Sequence, residues 1–121
     1  MAHVLIVDGN ALERRTLCRF LRLEGHEPVE AADDLEALSA LKAAPLGFAF
    51  VDLVGATMDR FELVKRIRRD FAATKVVVMC HPSDISDIGR DTPGVAGAVT
   101  KPVTREDIRA AVHGGSEDRT G

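Results

Sequence analysis

The sequence predicts an α/β fold in which a doubly wound, five-stranded parallel sheet is flanked by five helices. Short apolar runs rich in β-branched residues alternate five times with segments of helical periodicity. The runs are nearly continuous, as expected of strands that are buried on both faces of a parallel sheet. The chain has 121 residues, 45% of them hydrophobic, which suits one domain with its own core. We place this domain at residues 1–113 and expect residues 114–121 to be a flexible tail or linker.

The first β-α unit is marked by both strand and helix signals. Residues 3–7 read HVLIV and form the first strand. Asn10, with Glu13 three residues later, forms a capping box that begins a helix, and Gly25 is placed to end it. Residues 27–31 form a short second strand. These signals predict one complete β-α unit and the start of the next.

The second helix is predicted from about Asp34. Leu35, Leu38 and Leu41 fall on one stripe of this helix, and Pro45 stops it. A third strand at residues 48–51 follows and ends at Asp52. The spacing of residues 59–62, which read DRFE, predicts the cap of a third helix. Its inward-facing residues are Leu63, Val64, Ile67 and Phe71.

The last part of the chain supplies two more strands. Residues 75–80 form the most apolar strand, but only Ile85 and Ile88 continue a helical spacing after it, so the fourth helix should be short or irregular. Residues 95–99 supply the fifth strand. Residues 104–107 read TRED, a capping box that begins the final helix. Its apolar residues are Ile108, Ala111 and Val112.

Composition excludes several classes of function. The net charge of −3 and the absence of Trp and Tyr argue against nucleic acid as a partner and against binding to an anionic membrane surface. Cys18 and Cys80 are too few and too far apart for a disulfide framework or a zinc site. No charged leader with a long apolar run opens the chain. We therefore expect a reduced, cytoplasmic protein.

Three charged residues follow the predicted strands. Asp8 ends the first strand, Asp52 ends the third, and Lys101 follows the fifth. In a doubly wound sheet, ligands bind beyond the carboxyl ends of the strands. Each aspartate alone is as readily explained as a helix cap or turn residue. Together, two carboxylates and an ammonium at one edge predict a site for a divalent cation and an oxyanion.

Three stretches of the sequence resemble the receiver domain of two-component response regulators. They are VLIVDGN at residues 4–10, FVDLVGATMDRFELVKRIR at residues 50–68 and AVTKP at residues 98–102. The resemblance implies a flavodoxin/CheY-like sheet with strand order 2-1-3-4-5. It also implies that Asp52 is the phosphoacceptor and that Lys101, which precedes a proline whose peptide bond is typically cis, pairs with the phosphoryl group.

Family membership further implies the partners and the cofactor. A sensor histidine kinase or a histidine phosphotransfer protein would donate the phosphoryl group, and an output partner or a second copy of the chain in a homodimer would read the altered surface. Mg²⁺ would be held by Asp8, Asp52 and the backbone carbonyl of Val54. Receivers usually carry two acidic residues after the first strand, but Gly9 stands at the second position. With two acids and one lysine, we expect weak Mg²⁺ binding.

Other departures from the family pattern concern signal transmission. Cys80 replaces the usual Thr or Ser of the fourth strand, and a thiol is a weak hydrogen-bond donor. Ala98 replaces the aromatic residue of the fifth strand that normally changes rotamer. Gly55 and Ala56 replace a Met-Pro pair, and Arg60 replaces a small residue. We therefore expect the usual relay from the acceptor to the fourth helix to be absent.

Two alternatives to a phosphorylated receiver stay open. The domain could be a pseudo-receiver that binds partners without phosphorylation, or a small hydrolase that uses Asp52 as a transient nucleophile. We favour the phosphorylated receiver, which is not an enzyme, because Asp8, Asp52 and Lys101 are all present and no second general acid or base is evident. A catalytic pair of Cys80 and His81 is disfavoured because adjacent strand residues point to opposite sides.

Overall fold

Five parallel strands alternate with five helices in the computed structural model, which describes residues 2–54 and 58–117, with the backbone alone at residues 58, 59, 89–91 and 114–117. The strands are β1 (His3–Val7), β2 (Glu27–Ala31), β3 (Phe48–Asp52), β4 (Lys75–Cys80) and β5 (Gly97–Thr100). The helices are α1 (Ala11–Leu23), α2 (Asp34–Ala43), α3 (Met58–Asp70), α4 (Ile85–Asp91) and α5 (Arg105–Glu117), with a 3₁₀ turn (Pro82–Asp84) before α4. No helix in this part of the chain is long and apolar enough to cross a membrane.

The strand order is β2-β1-β3-β4-β5, and all pairings are parallel. This confirms the predicted fold class and sheet order. The chain moves outward from β1 to β2, then returns to β3 on the other side of β1. The order of strands therefore reverses between β1 and β3, which is the position where doubly wound sheets bind ligands. Asp8 and Asp52 follow or end these two neighbouring strands.

Alternate residues of the central strands contribute to two hydrophobic clusters, one on each face of the sheet. In β1, Leu5 and Val7 pack with residues of α2 and α3, whereas Val4 and Ile6 pack with residues of α1 and α5. In β3, Phe50 belongs to the second group, and all five side chains are fully buried. Burial on both faces explains why these strands are continuous apolar runs in the sequence.

Two helix termini follow the predicted signals closely. The Asn10 side chain accepts a hydrogen bond from the backbone N–H of Glu13 (3.0 Å), and Gly25 adopts a φ of +85° just after α1. This backbone conformation favours glycine because it has no Cβ. At the start of α5, Thr104 and Asp107 each accept a hydrogen bond from the backbone N–H of the other (3.0 Å in both cases). The capping box at residues 104–107 is therefore confirmed.

The predicted apolar stripe of α2 is wrong at its first position. Leu35 is 79% exposed, whereas Ala37 and Leu41 are buried and Leu38 packs against them in part. A spacing of three residues advances about 300° around a helix, so each step drifts by about 60°. Leu35 and Leu41 thus lie about 120° apart, and only the latter faces the sheet.

Several element boundaries also differ from the sequence prediction. Residue 58 is already helical, so Asp59 lies within α3 rather than capping it. Helix α4 continues through Gly89, and α5 continues to Glu117, past the expected domain end at residue 113. Strand β5 begins at residue 97 rather than 95, because the N–H of Val95 still bonds to a carbonyl in the preceding turn. The division between domain and tail stays a prediction, and residues 118–121 lie outside the described part.

A buried histidine lies at the amino-terminal edge of the sheet, opposite the charged residues. His26, between α1 and β2, accepts a hydrogen bond at Nδ1 from the N–H of Ala2 (3.1 Å), and its ring centroid lies 5.5 Å from that of His113 on α5. Its Nε2 is buried with no hydrogen-bond partner among the described residues. Burial, together with His113 and the chain amino terminus, lowers the pKa of His26, and nearby Glu24 opposes this only in part.

The lowered pKa makes the stability of the fold depend on pH. Because the folded state disfavours protonated His26, this contribution is present above the unfolded pKa of about 6.5 and is lost as the pH falls below it. We expect the free energy of unfolding, measured with urea between pH 8 and pH 5, to fall less steeply in His26→Asn, whose amide can still accept from Ala2. His81→Asn, at an exposed histidine, should keep the wild-type slope. Equal slopes in all three proteins would contradict this assignment.

Candidate functional site

Asp8 is a fully buried carboxylate directly after β1. Its Oδ1 accepts from the backbone N–H of Asn10 (2.8 Å), and its Oδ2 accepts from Lys101 Nζ (3.1 Å). The first contact is the local turn that aspartate forms with the backbone two residues later. A buried charge is tolerated only where it is paired and hydrogen-bonded, and Asp8 meets both conditions.

Asp52 is the last residue of β3, and 12% of its side chain is exposed. Its Oδ1 accepts from the backbone N–H of Val54 (3.0 Å) and lies 3.1 Å from Lys101 Nζ. Burial and the neighbouring carboxylate of Asp8 raise the pKa of Asp52, and the contacts from Val54 and Lys101 offset this only in part. The structure shows Val54 contacting Asp52 through its N–H, and its carbonyl as a metal ligand stays a prediction.

Lys101 follows β5 and reaches across the carboxyl edge of the sheet. Its backbone N–H donates to the carbonyl of Cys80 (2.8 Å), and the peptide bond to Pro102 is cis. Its ammonium contacts Asp8, Asp52 and a third carboxylate, that of Glu13. Burial alone would lower the pKa of Lys101, but the three carboxylates outweigh it and raise the pKa.

Glu13 is the site residue that the sequence analysis missed. It was assigned only to a capping box, in which its carboxylate would accept from the N–H of Asn10. In the structure that N–H donates to Asp8 instead, so the box is half formed and the Glu13 carboxylate turns to Lys101. The Asp-x-Asn turn signal at residue 8 could have indicated this competition.

The charge of the site must therefore be corrected. Carboxylate oxygens of Asp8, Glu13 and Asp52 all lie within 4.8 Å of one another. Three carboxylates and one ammonium give a formal charge of −2, where two acids and a lysine would give −1. A count of two acids was the reason to expect weak Mg²⁺ binding, and the third acid removes that reason.

Arginines fix the backbone at both aspartates. Arg60 donates to the backbone carbonyl of Asp52 (2.8 Å) and to the carboxylate of Asp34 at the start of α2 (2.7 Å). Arg14 donates to the backbone carbonyl of Asp8 (2.8 Å) and pairs with an acid on β2. The long side chain at position 60 thus joins α3 to β3 and α2. The replacements at residues 55 and 56 lie outside the described part of the chain.

Cys80 is buried at the end of β4, with Sγ 3.8 Å from the carbonyl oxygen of Val99. Burial raises the pKa of its thiol, which keeps it in the less reactive protonated form. His81 next to it is exposed, and Ala98 packs in part against the same core as Cys80. Cys80 is thus part of the hydrophobic core, and Ala98 packs against it. Cys18 is likewise buried, and burial raises its pKa to about 11.

An apolar groove opens beside the charged residues. It runs between α1 and the segment after β5, and Glu13 and Lys101 border it. Its apolar lining includes Leu12, Pro102 and Val103, and 70% of Leu12 is exposed. An exposed leucine next to a charged cleft is a feature to which a partner could bind.

The geometry agrees with the comparison to known protein families. A family model described as "Response regulator receiver domain" matches residues 4–113. The chain belongs to this family. Receiver domains are signalling domains of two-component systems and interact with histidine kinases and output domains. The fold and the family expected from the sequence are thus confirmed.

Individual relatives are more distant. A "Probable transcriptional regulator ycf27" of Porphyridium aerugineum is 28% identical over 112 residues, which are 90% of this chain and 45% of that protein. The chemotaxis protein CheY4 of Vibrio cholerae is 27% identical with a TM-score of 0.78, covering 93% of this chain and 97% of the other. A Thermotoga maritima response regulator has a TM-score of 0.82 at 22% identity, covering 95% and 97%. The receiver spans less than half the length of the curated relatives it matches.

The stability of the site should depend on Lys101. Replacing it by methionine leaves the fully buried Asp8 beside two further carboxylates without their shared cation. Breaking a buried ion pair in this way costs roughly 3 kcal/mol. We expect Lys101→Met to lose about this much in urea unfolding at pH 7, and the double variant Asp8→Asn/Lys101→Met to recover most of it.

The matched control for this experiment is Lys75→Met, at an exposed lysine at the start of β4. Surface substitutions of this kind usually change stability by less than about 0.5 kcal/mol. If Lys101→Met were as stable as Lys75→Met, the ammonium would not be needed to compensate the buried carboxylate.

Proposed function

We propose that this receiver accepts a phosphoryl group on Asp52 from a phosphohistidine of a sensor histidine kinase or a histidine phosphotransfer protein. The observation that carries the proposal is the geometry at Asp52. The N–H of Val54 and the ammonium of Lys101 both contact Oδ1, and no described residue donates to Oδ2. We therefore assign Oδ2 as the nucleophile. The contacts to Oδ1 orient the carboxylate that carries it.

The proposed transfer is a displacement at phosphorus. Asp52 Oδ2 forms the new P–O bond, the P–N bond of the donor histidine breaks, and the histidine nitrogen keeps the electron pair. The donor phosphohistidine reacts with its other ring nitrogen protonated, so the products are a mixed anhydride of phosphate with Asp52 and a neutral donor imidazole. Lys101, 3.1 Å from Oδ1, supports the step because its ammonium opposes the negative charge on the phosphoryl oxygens.

The carboxylates present fit Mg²⁺, the cofactor that the family implies. Opposite ligands of an octahedral Mg²⁺ lie about 4.2 Å apart, since each bond is about 2.1 Å. Oxygens of Asp8, Glu13 and Asp52 lie within 4.8 Å of one another, so side-chain movements of less than about 1 Å would bring them within this span. Bound there, the ion would neutralise charge on the transferred group. We assign Asp8, Asp52 and the Val54 carbonyl to it, a set that leaves room for one further carboxylate.

The apolar groove beside the site supports partner binding at this edge. A phosphohistidine must approach Asp52 from the carboxyl edge of the sheet, and Leu12 is exposed there on the first turn of α1. An exposed apolar side chain next to the reacting atoms favours a protein donor over a free small molecule. We infer that the donor protein covers this groove. A separate output partner, or a second copy of the chain, then binds the phosphorylated surface. We place the domain in the cytoplasm and expect it to accept one phosphoryl group without acting as an enzyme.

The acceptor assignment predicts a single, site-specific modification. Incubation with acetyl phosphate and Mg²⁺ should add one phosphoryl group to the intact mass of the chain, and Asp52→Asn should abolish it. Asp59→Asn is the control and should be labelled like the wild type. Persistent labelling of Asp52→Asn, or sustained turnover of an aryl phosphate, would contradict a stoichiometric receiver and favour a hydrolase.

A second expectation concerns the response to phosphorylation. Cys80 is buried in the core, and Ala98 has no side-chain rotamer to change. A phosphoryl group on Asp52 should therefore make nearly the same contacts in any two conformations of β4, α4 and β5, and should shift their equilibrium little. Amide NMR spectra with and without beryllofluoride and Mg²⁺ should therefore differ at Asp52 but little from Cys80 through Ala98. Occupancy is checked first by the shift at Asp52. Large shifts along β4, α4 and β5 would show that a relay operates without the usual residues.

The pseudo-receiver is the second candidate function, and the same two residues favour it. A domain that cannot transmit a phosphoryl signal through Cys80 and Ala98 would present its α4 face to partners in one constant form. Absence of any labelling under the acetyl phosphate conditions above would favour this candidate over the phosphorylated receiver.

A further inference from the structure

We propose that Glu13 supplies the carboxylate that is missing at position 9, so that the receiver binds a divalent cation through Asp8, Glu13 and Asp52. The inference rests on the proposed function, because it concerns the cation that assists phosphorylation of Asp52. It assigns a role to a residue on α1, in place of the residue directly after Asp8 that carries this charge in other receivers.

The backbone at position 9 does not itself require glycine. A Cβ built at Gly9 would meet the carbonyl oxygen of Ala32 at 3.7 Å, an ordinary contact distance. Its φ lies outside the left-handed region in which side chains are strained, since only Gly25 and Gly94 among the described glycines have positive φ. Sterics therefore do not prevent a carboxylate at position 9, and its absence changes only the charge of the site.

Glu13 is placed to restore that charge. It lies in the first turn of α1, one helical turn from Asn10, and 48% of its side chain is exposed. A fully buried acid such as Asp8 is reached by solvent ions only with difficulty, whereas Glu13 offers its carboxylate at the mouth of the site. Because the Asn10 N–H donates to Asp8, the helix cap does not use the Glu13 carboxylate.

Lys101 leaves oxygen atoms for a cation. Its ammonium contacts Oε1 of Glu13, so Oε2 of Glu13 is not the atom it holds. Because Oδ2 of Asp52 is the proposed nucleophile, a cation would share Oδ1 of Asp52 with the ammonium. The ammonium thus brings the two carboxylates together while each keeps a second oxygen. Mg²⁺ is usually bound through one or two carboxylates together with waters, and this donor set meets that requirement.

The test is a titration of the full, unphosphorylated chain with Mn²⁺, in which free Mn²⁺ is measured by electron paramagnetic resonance. Five proteins are compared: wild type, Glu13→Gln, Gly9→Asp, Glu13→Gln/Gly9→Asp and the control Glu27→Gln. Glu27 is an exposed acid at the opposite edge of the sheet, where β2 begins. Urea unfolding confirms that each variant is folded.

Glu13→Gln should weaken Mn²⁺ binding by about tenfold or more, the range found when groups that support a metal site are removed. Gly9→Asp in the Glu13→Gln background should restore the affinity to near the wild-type value, because it returns the lost carboxylate to the same edge. Gly9→Asp alone should bind more tightly than the wild type, and Glu27→Gln should equal it.

Two results would overturn the inference. One is a Glu13→Gln protein that binds Mn²⁺ as tightly as Glu27→Gln. The other is a failure of Gly9→Asp to restore Mn²⁺ binding in the Glu13→Gln background. That result would mean that Glu13→Gln weakens binding by disturbing its contact with Lys101, and not by removing a ligand of the cation. Labelling by acetyl phosphate is measured separately. Mn²⁺ binding that depends on Glu13, without labelling of Asp52, would uphold the cation site and contradict the phosphoacceptor.

Discussion

The ammonium of Lys101 is the contact on which the carboxyl edge of the sheet depends. It joins carboxylates from β1, α1 and β3, three elements that would otherwise present like charges to one another at short range. One of these carboxylates, Asp8, is fully buried and needs a cation close by. The lysine follows β5, which lies two strands away from β3 at the edge of the sheet, with β4 between β3 and β5. The site therefore requires the complete strand order, and a long side chain to span it.

The backbone around the two aspartates is held independently of that ammonium. Arg14 and Arg60 donate to the backbone carbonyls of Asp8 and Asp52, and each also pairs with an acid on a neighbouring element. These contacts fix the backbone positions of the two aspartates, and Lys101 orients their carboxylates. A site assembled in this way is positioned by contacts from several elements within the chain.

The charged edge of the sheet and positions 80 and 98 differ in their chemistry. Asp8, Glu13 and Asp52 each contact the ammonium of Lys101, and Glu13 brings the formal charge of this group to −2. Cys80 is buried in the hydrophobic core, Ala98 packs in part against it, and neither side chain carries a hydroxyl or an aromatic ring.

The fold class, the five strands and the meeting of Asp8, Asp52 and Lys101 follow from the order of residues alone, because strand periodicity is local and parallel strands end at one edge. Three features depend instead on how the elements pack: Leu35 faces solvent, α3 is already helical at residue 58, and Glu13 belongs to the site. The last point turns on one hydrogen bond. By sequence spacing, the N–H of Asn10 could donate to the carboxylate of either Asp8 or Glu13. It donates to Asp8, and this depends on the position of α1 relative to the end of β1. Such competition between acceptors is settled by the packing of whole elements and not by the spacing of residues along the chain.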